Sequence, residues 1–203
     1  MSKNLTSPVN LNIHHDPHLT RSSEYLSRRG FLTRLGLAAT SALLVPSAHA
    51  FARNLSKDRK LIFHNMNTHE ELSIICCPQQ HYDRKVLLQF NRFLRDHRTD
   101  QVHSMDPGLI DLLYAISIFT ESRGVFKVIS GYRSPETNQM LRVMSHGVAE
   151  HSLHIQGKAI DLRMDDLETR AIQRVALALQ QGGVGYYPRS DFVHLDTGRV
   201  RSW

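Results

Sequence analysis

The chain has 203 residues, 41% of them hydrophobic, and a formal net charge of +6, half of which lies in residues 1–50. The remainder is long enough for one domain with a single core. It has no arginine-rich run and no interleaving of aromatic and basic residues, which argues against nucleic acid as a partner. The two cysteines, Cys76 and Cys77, cannot make a disulfide framework or a cysteine-based zinc finger.

Residues 1–26 are polar and irregular. Ser27-Arg28-Arg29-Gly30-Phe31-Leu32 follows, then an apolar run over 35–45, then Ala48-His49-Ala50. A basic segment, a short apolar core and an A-x-A site make a signal peptide over 1–50, cleaved near Ala50. The arginine pair before Gly-Phe-Leu resembles a twin-arginine signal, with Thr33 where such signals usually carry lysine. That implies the twin-arginine (Tat) export machinery as a partner, a periplasmic location, and contact with the membrane only during export. The alternative, an uncleaved anchor, suits the run less well, because a span needs about 20 apolar residues.

Residues 51–60 read as a basic linker and 61–203 as the folded domain. Apolar runs at 61–63 and 72–75, separated by a polar turn, predict an edge hairpin. Cys76 and Cys77 are adjacent and poorly placed to bridge each other. They read as unpaired small residues, with a redox or intermolecular role as the alternative. Helical spacing runs over 84–97. A second helix starts at Asp106-Pro107, with Asp106 as N-cap and Pro107 in the first position. A strand over 126–129 leads through a loop into a short helix at 135–143. A strand at 159–164, an amphipathic helix at 165–181 stopped by Gly182-Gly183, and strands at 184–187 and 192–195 complete the chain. Helices first and short strands later predict an α+β fold with a small antiparallel sheet flanked by helices.

His154 and Asp161 lie seven apart with Gly157 between them, and His194 sits in the last strand. Catalytic zinc takes three protein ligands and leaves a fourth position for water. A carboxylate inside a strand rich in Ile and Leu is costly unless paired or metal-bound. His154, Asp161 and His194 are therefore read together as the ligands of one Zn2+ per chain, placed on the sheet. Asp191 lies three residues before His194, on the opposite face by strict alternation. To act as general base toward a water and then as acid toward the leaving amine, it must stand at a bend, which 188–190 could supply. Its other reading is a plain turn residue. Asp196, on the face of His194, is the rival carboxylate and would orient that ring. His151 reads as a rim residue.

The spacing S-x-H-x6-D followed by D-x-x-H resembles the zinc peptidases that include bacterial D-Ala-D-Ala carboxypeptidases and dipeptidases, phage endolysins and murein endopeptidases, of Hedgehog/DD-peptidase fold. Four stretches look like the twin-arginine-exported, MepK-type murein endopeptidase branch. They are Ser130-Gly131-Tyr132-Arg133-Ser134-Pro135-x-Thr137-Asn138, Ser152-Leu153-His154, Gly182-Gly183-Val184-Gly185-Tyr186-Tyr187-Pro188 and Phe192-Val193-His194-Leu195-Asp196-Thr197-Gly198. The resemblance implies His154, Asp161 and His194 as zinc ligands and Asp191 as the acidic base. It implies Arg133 as the group that binds substrate and steadies the tetrahedral intermediate, and Ser152 and Tyr186 as substrate-binding. Phe192 stands where some relatives carry a second histidine. The implied partner is peptidoglycan and the implied activity hydrolysis of its peptide cross-links. D,D-carboxypeptidase action on stem peptides and a non-catalytic wall-binding module remain the alternatives.

Overall fold

The computed structural model describes residues 58–76, 82–145 and 147–203. The expected signal peptide, most of the expected linker and Cys77 lie outside the described residues. Strand β1 (Arg59–Asn65) begins two residues inside the stretch read as linker. It is followed by β2 (Glu71–Cys76), α1 (Arg84–Phe93), α2 (Gly108–Phe119), β3 (Val125–Ser130) and α3 (Pro135–Met144). Then come β4 (Ala159–Met164), α4 (Thr169–Leu179), β5 (Gly183–Tyr187), β6 (Phe192–Asp196) and β7 (Arg201–Ser202). Among the described residues, no helix is long and apolar enough to cross a membrane.

The helix ends follow local chemistry. The Asp83 carboxylate accepts from Lys85 N at the start of α1. Ser134 accepts from Thr137 N, with Pro135 in the first turn of α3. Asp106 stands one residue outside the cap of α2, but its carboxylate still accepts from Gly108 N at 2.9 Å. The last helix begins at Thr169, four residues later than its periodicity predicts, and ends on Gln180 in the left-handed region. Gly182-Gly183 therefore does not make the stop. A Cβ on Gly182 would meet the Asp196 carbonyl, and one on Gly183 would meet the Asp196 carboxylate. These glycines let two strands close on Asp196.

The strands form one seven-stranded sheet, ordered β2-β1-β3-β4-β6-β5-β7. The expected small antiparallel sheet is thus larger and mixed: β1 pairs parallel with β3, and β5 parallel with β7. The expected edge hairpin is present as β1–β2. After β2 the chain runs through α1 and α2 before returning beside β1, and such a long crossover permits parallel pairing. The two-residue β7 is too short to carry a periodic signal.

Side-chain alternation gives the sheet two different faces. Phe63, Phe126, Ile160, Leu162, Val193, Leu195 and Val184 join the buried cluster with α1, α2 and α4. Phe63 stacks on Phe126 and meets Phe90 and Phe93 of α1. Residues 109, 110 and 112–117 of α2 are buried, so this helix is apolar over most of its surface rather than on one stripe. The opposite face carries Asp161, His194 and Asp196, with Gly185 directly across from His194. Cys76 is buried with its thiol 3.0 Å from the Tyr82 hydroxyl.

Asp96 ties this framework to the loop after β3. Its carboxylate, 1% exposed, accepts from Ser134 N at 2.8 Å and Arg98 N at 2.9 Å. Asp96→Ala leaves both amides without these acceptors. We expect the free energy of unfolding to fall by about 2–3 kcal/mol, read from urea denaturation midpoints at unchanged slope.

Candidate metal centre

His154, Asp161 and His194 come together as a buried group able to hold a metal ion. Antiparallel pairing of β4 with β6 sets Asp161 directly opposite His194. His154 arrives from the turns before β4. Gly157 closes those turns at φ +66, where a Cβ would also strike the Ser104 carbonyl, so glycine is required twice over. The three facing atoms are His154 Nε2, Asp161 Oδ1 and His194 Nδ1. Asp161 Oδ1 lies 2.9 Å from His194 Nδ1 and 3.2 Å from His154 Nε2, and the two nitrogens are 3.1 Å apart. A tetrahedral ion with bonds of about 2.0–2.2 Å holds its ligands about 3.3–3.6 Å apart. The donors need to separate by only a few tenths of an ångström to accept one.

The outer nitrogens are equally determined. His154 Nδ1–H donates to the Gly131 carbonyl at 2.7 Å, which leaves the Nε2 lone pair for a metal. His194 Nε2–H donates to Asp196 Oδ2 at 3.0 Å, which turns Nδ1 inward. Asp196 is 0% exposed and is also held by Arg201 at 2.6 Å and by the Gly183 and Gly198 amides. The rival carboxylate thus takes the orienting place its alternation suggested.

Burial opposes charge on Asp161, but His154 and His194 outweigh it and hold the carboxyl well below its ordinary range. Burial also opposes a charged His194. Its hydrogen bonds to Asp161 and Asp196 prevail, and its pKa is pushed up to about 9. Burial pushes His154 down.

Arg133 lines the site. Its backbone amide donates to the His154 carbonyl, and its guanidinium lies 3.4 Å from Asp161 Oδ2 and 3.3 Å from Ser130 Oγ. A register irregularity between Val128 and Ser130 brings Ser130 opposite Asp161. Arg133 Nε is buried with no hydrogen-bond partner among the described residues. Ser152 is 8% exposed, and its hydroxyl accepts from the His154 amide at 3.3 Å.

Asp191 does stand at a bend, with φ +49 in the turn before β6. Its carboxylate is 63% exposed and accepts from Thr169 Oγ1 at 3.2 Å and Arg163 Nη1 at 3.4 Å. It is not one of the three grouped donors. Tyr186 pairs with buried Val193 and packs against the core, so its ring lies on the face away from the ligands. Of the two adjacent tyrosines, Tyr187 is the one on the face of His194. It pairs with Phe192, and the two rings stack 4.5 Å apart at 13°. Trp203 is the other residue that inspection of the chain missed; its ring centroid is 5.2 Å from that of His194. Strand alternation, applied to the Tyr186-Tyr187 pair against His194, could have identified Tyr187. Nothing local marks Trp203. His151 is exposed, as a rim residue should be.

A metal must displace a proton from His194 at neutral pH, so binding to chelator-treated protein at pH 7 is expected to release about one proton. Affinity should rise with pH and level off above about 9. Calorimetry in buffers of differing ionisation enthalpy measures this. Without metal, the raised His194 pKa contributes stability that is fully present below about pH 6.5. That contribution is lost as pH rises through about 9. The lowered Asp161 pKa contributes above its ordinary value of about 4 and is lost on acidification.

Residues 53–203 match the family model described as peptidoglycan L,D-endopeptidase MepK. The chain is 38% identical over 177 residues to the peptidoglycan L,D-endopeptidase MepK of Escherichia coli strain K12, covering 87% of this chain and 97% of that protein. It is 41% identical over 178 residues to the probable peptidoglycan L,D-endopeptidase MepK of Haemophilus influenzae, covering 87% and 95%. No solved structure matches the chain. With the match running through the metal-binding group and the strands that build it, the chain belongs to the peptidoglycan L,D-endopeptidase MepK family.

Proposed function

We propose that the protein is an exported, zinc-dependent endopeptidase that hydrolyses peptide cross-links of peptidoglycan. The observation that carries this reading is the His154–Asp161–His194 donor set beside Arg133, whose buried Nε has no partner among the described residues. Nitrogen and carboxylate donors in a three-ligand set suit zinc with one open position. When bound, the ion supplies Lewis-acid polarisation of a carbonyl and acidifies water.

The chain's own residues do the rest. Arg133 donates toward the scissile carbonyl oxygen as negative charge develops there. Its loop is fixed to the ligand loop through the His154 carbonyl, so the donor stays in register with the ligands. Asp191 takes the proton of the attacking water and returns it to the leaving amine. Its exposure at the rim and its place in the turn before His194 suit that shuttle. Ser152, by capping the turn at His154, fixes the ligand and presents that turn to the stem peptide. The Ser27–Leu32 arginine-pair motif and the apolar run after it direct the chain through the twin-arginine route to the periplasm, where its substrate lies.

Purified protein incubated with intact sacculi tests the reading. Cross-linked muropeptides should fall in the presence of zinc and persist with chelator. An unchanged muropeptide profile with one zinc bound per chain would sink it. Asp191→Ala is expected to retain zinc while turnover falls by roughly 10²–10⁴-fold. If zinc is lost with it, Asp191 is holding the site together rather than moving a proton.

A further inference from the structure

Three aromatic residues sit on the ligand face with no part in holding the metal, and their hydrogen bonding is one-sided. Trp203 Nε1–H donates to the Tyr187 hydroxyl oxygen at 2.8 Å. The Tyr187 O–H therefore keeps its proton to give, and no acceptor for it is found among the described residues. Tyr187 is held from two sides. Its ring stacks on Phe192, and its oxygen is held by the indole.

The indole is itself fixed in place. It lies over Gly185, where a Cβ would come within 2.7 Å of the ring, so only glycine lets it rest there. Gly185 is the residue directly opposite His194. The Arg201 guanidinium sits 4.8 Å above the indole, and Arg201 is bonded to Asp196, which also holds His194. The carboxylate that orients a metal ligand thus also anchors the cation that pins Trp203. Arg133 lies beside Asp161, Asp161 pairs with His194, and Tyr187 follows Gly185 by two residues on that same face of the sheet.

We propose that Tyr187 is a second hydrogen-bond donor to the scissile carbonyl oxygen in the transition state, acting with Arg133, and that Trp203 is the positioning residue that aims it. This rests on the peptidase reading above. A donor aimed at developing charge is worth more in the transition state than in the bound substrate, so its loss should appear in kcat rather than KM. Trp203 has no donor left for substrate, because its indole N–H is committed to Tyr187.

The test uses zinc-loaded full-length mature protein and a soluble cross-linked muropeptide. Tyr187→Phe preserves the stack and removes only the hydroxyl. It should bind zinc stoichiometrically, keep KM within about twofold and lower kcat by about 10²-fold. A phosphinate analogue of the scissile peptide, which carries the tetrahedral anionic oxygens, should bind more weakly by a similar factor. The product peptide should bind as before. Trp203→Phe should slow turnover less, and the double variant should be no slower than Tyr187→Phe alone, because the indole acts through the hydroxyl. Trp203 is the single tryptophan of the chain, so its fluorescence should shift in Tyr187→Phe without any substrate present.

Equal loss of phosphinate and product affinity would make Tyr187 a packing wall and overturn the proposal. So would unchanged kcat, or additive effects in the double variant. A wild-type protein that leaves muropeptides intact would instead defeat the peptidase reading itself.

Discussion

The site depends on a single register: Asp161 opposite His194 across β4 and β6. A carboxylate 7% exposed and an imidazole 8% exposed would each be costly alone. Set 2.9 Å apart, each offsets the burial of the other, and a one-residue slip of either strand would send its member of the pair to the apolar face. The cost of taking two charged groups out of water is recovered only with good geometry and satisfied remaining lone pairs. Here Arg133 meets the other oxygen of Asp161, and Asp196 completes His194. Either a proton or a metal ion can occupy the interior of this arrangement, so the same contacts that stabilise the metal-free fold compete with metal for His194.

Asp196 is the second fixed point. Its two oxygens meet His194, Arg201 and the amides of Gly183 and Gly198. Such a buried, fully bonded carboxylate is rigid, and rigidity is what a ligand's outer partner must supply. Through Arg201 the same carboxylate reaches the indole of Trp203, so His194 and the aromatic residues share one support. The glycines at 182, 183 and 185 belong to this support, because each leaves room for backbone, carboxylate or indole that a side chain would displace.

The sheet separates two tasks that would otherwise conflict. One face is largely apolar and packs with α1, α2 and α4, which supply the burial that drives folding. The other face is free to hold polar and ionisable groups, because the strands beneath are already fixed. The loop at 130–134 reaches this face through buried Asp96 on one side and the His154 carbonyl on the other. Arg133 is therefore positioned by contacts with chain segments far apart in the sequence.

The grouping of His154, Asp161 and His194 and the bend at Asp191 were legible in the chain because each is a residue type with few inexpensive buried alternatives, set in a strand or turn that local patterning reveals. Alternation alone placed Asp196 beside His194. The four helices were likewise evident from periodicity and caps, though the start of α4 lay four residues later than its pattern suggested. What the sequence by itself determined was therefore the inventory of elements and of chemistry-bearing side chains, because those follow from local period and residue type. Tertiary structure alone decided the mixed seven-stranded sheet and the contact of Trp203 with Tyr187 and His194. Strand order, register and the docking of a two-residue strand are set by contacts between distant segments, and no window along the chain contains both partners.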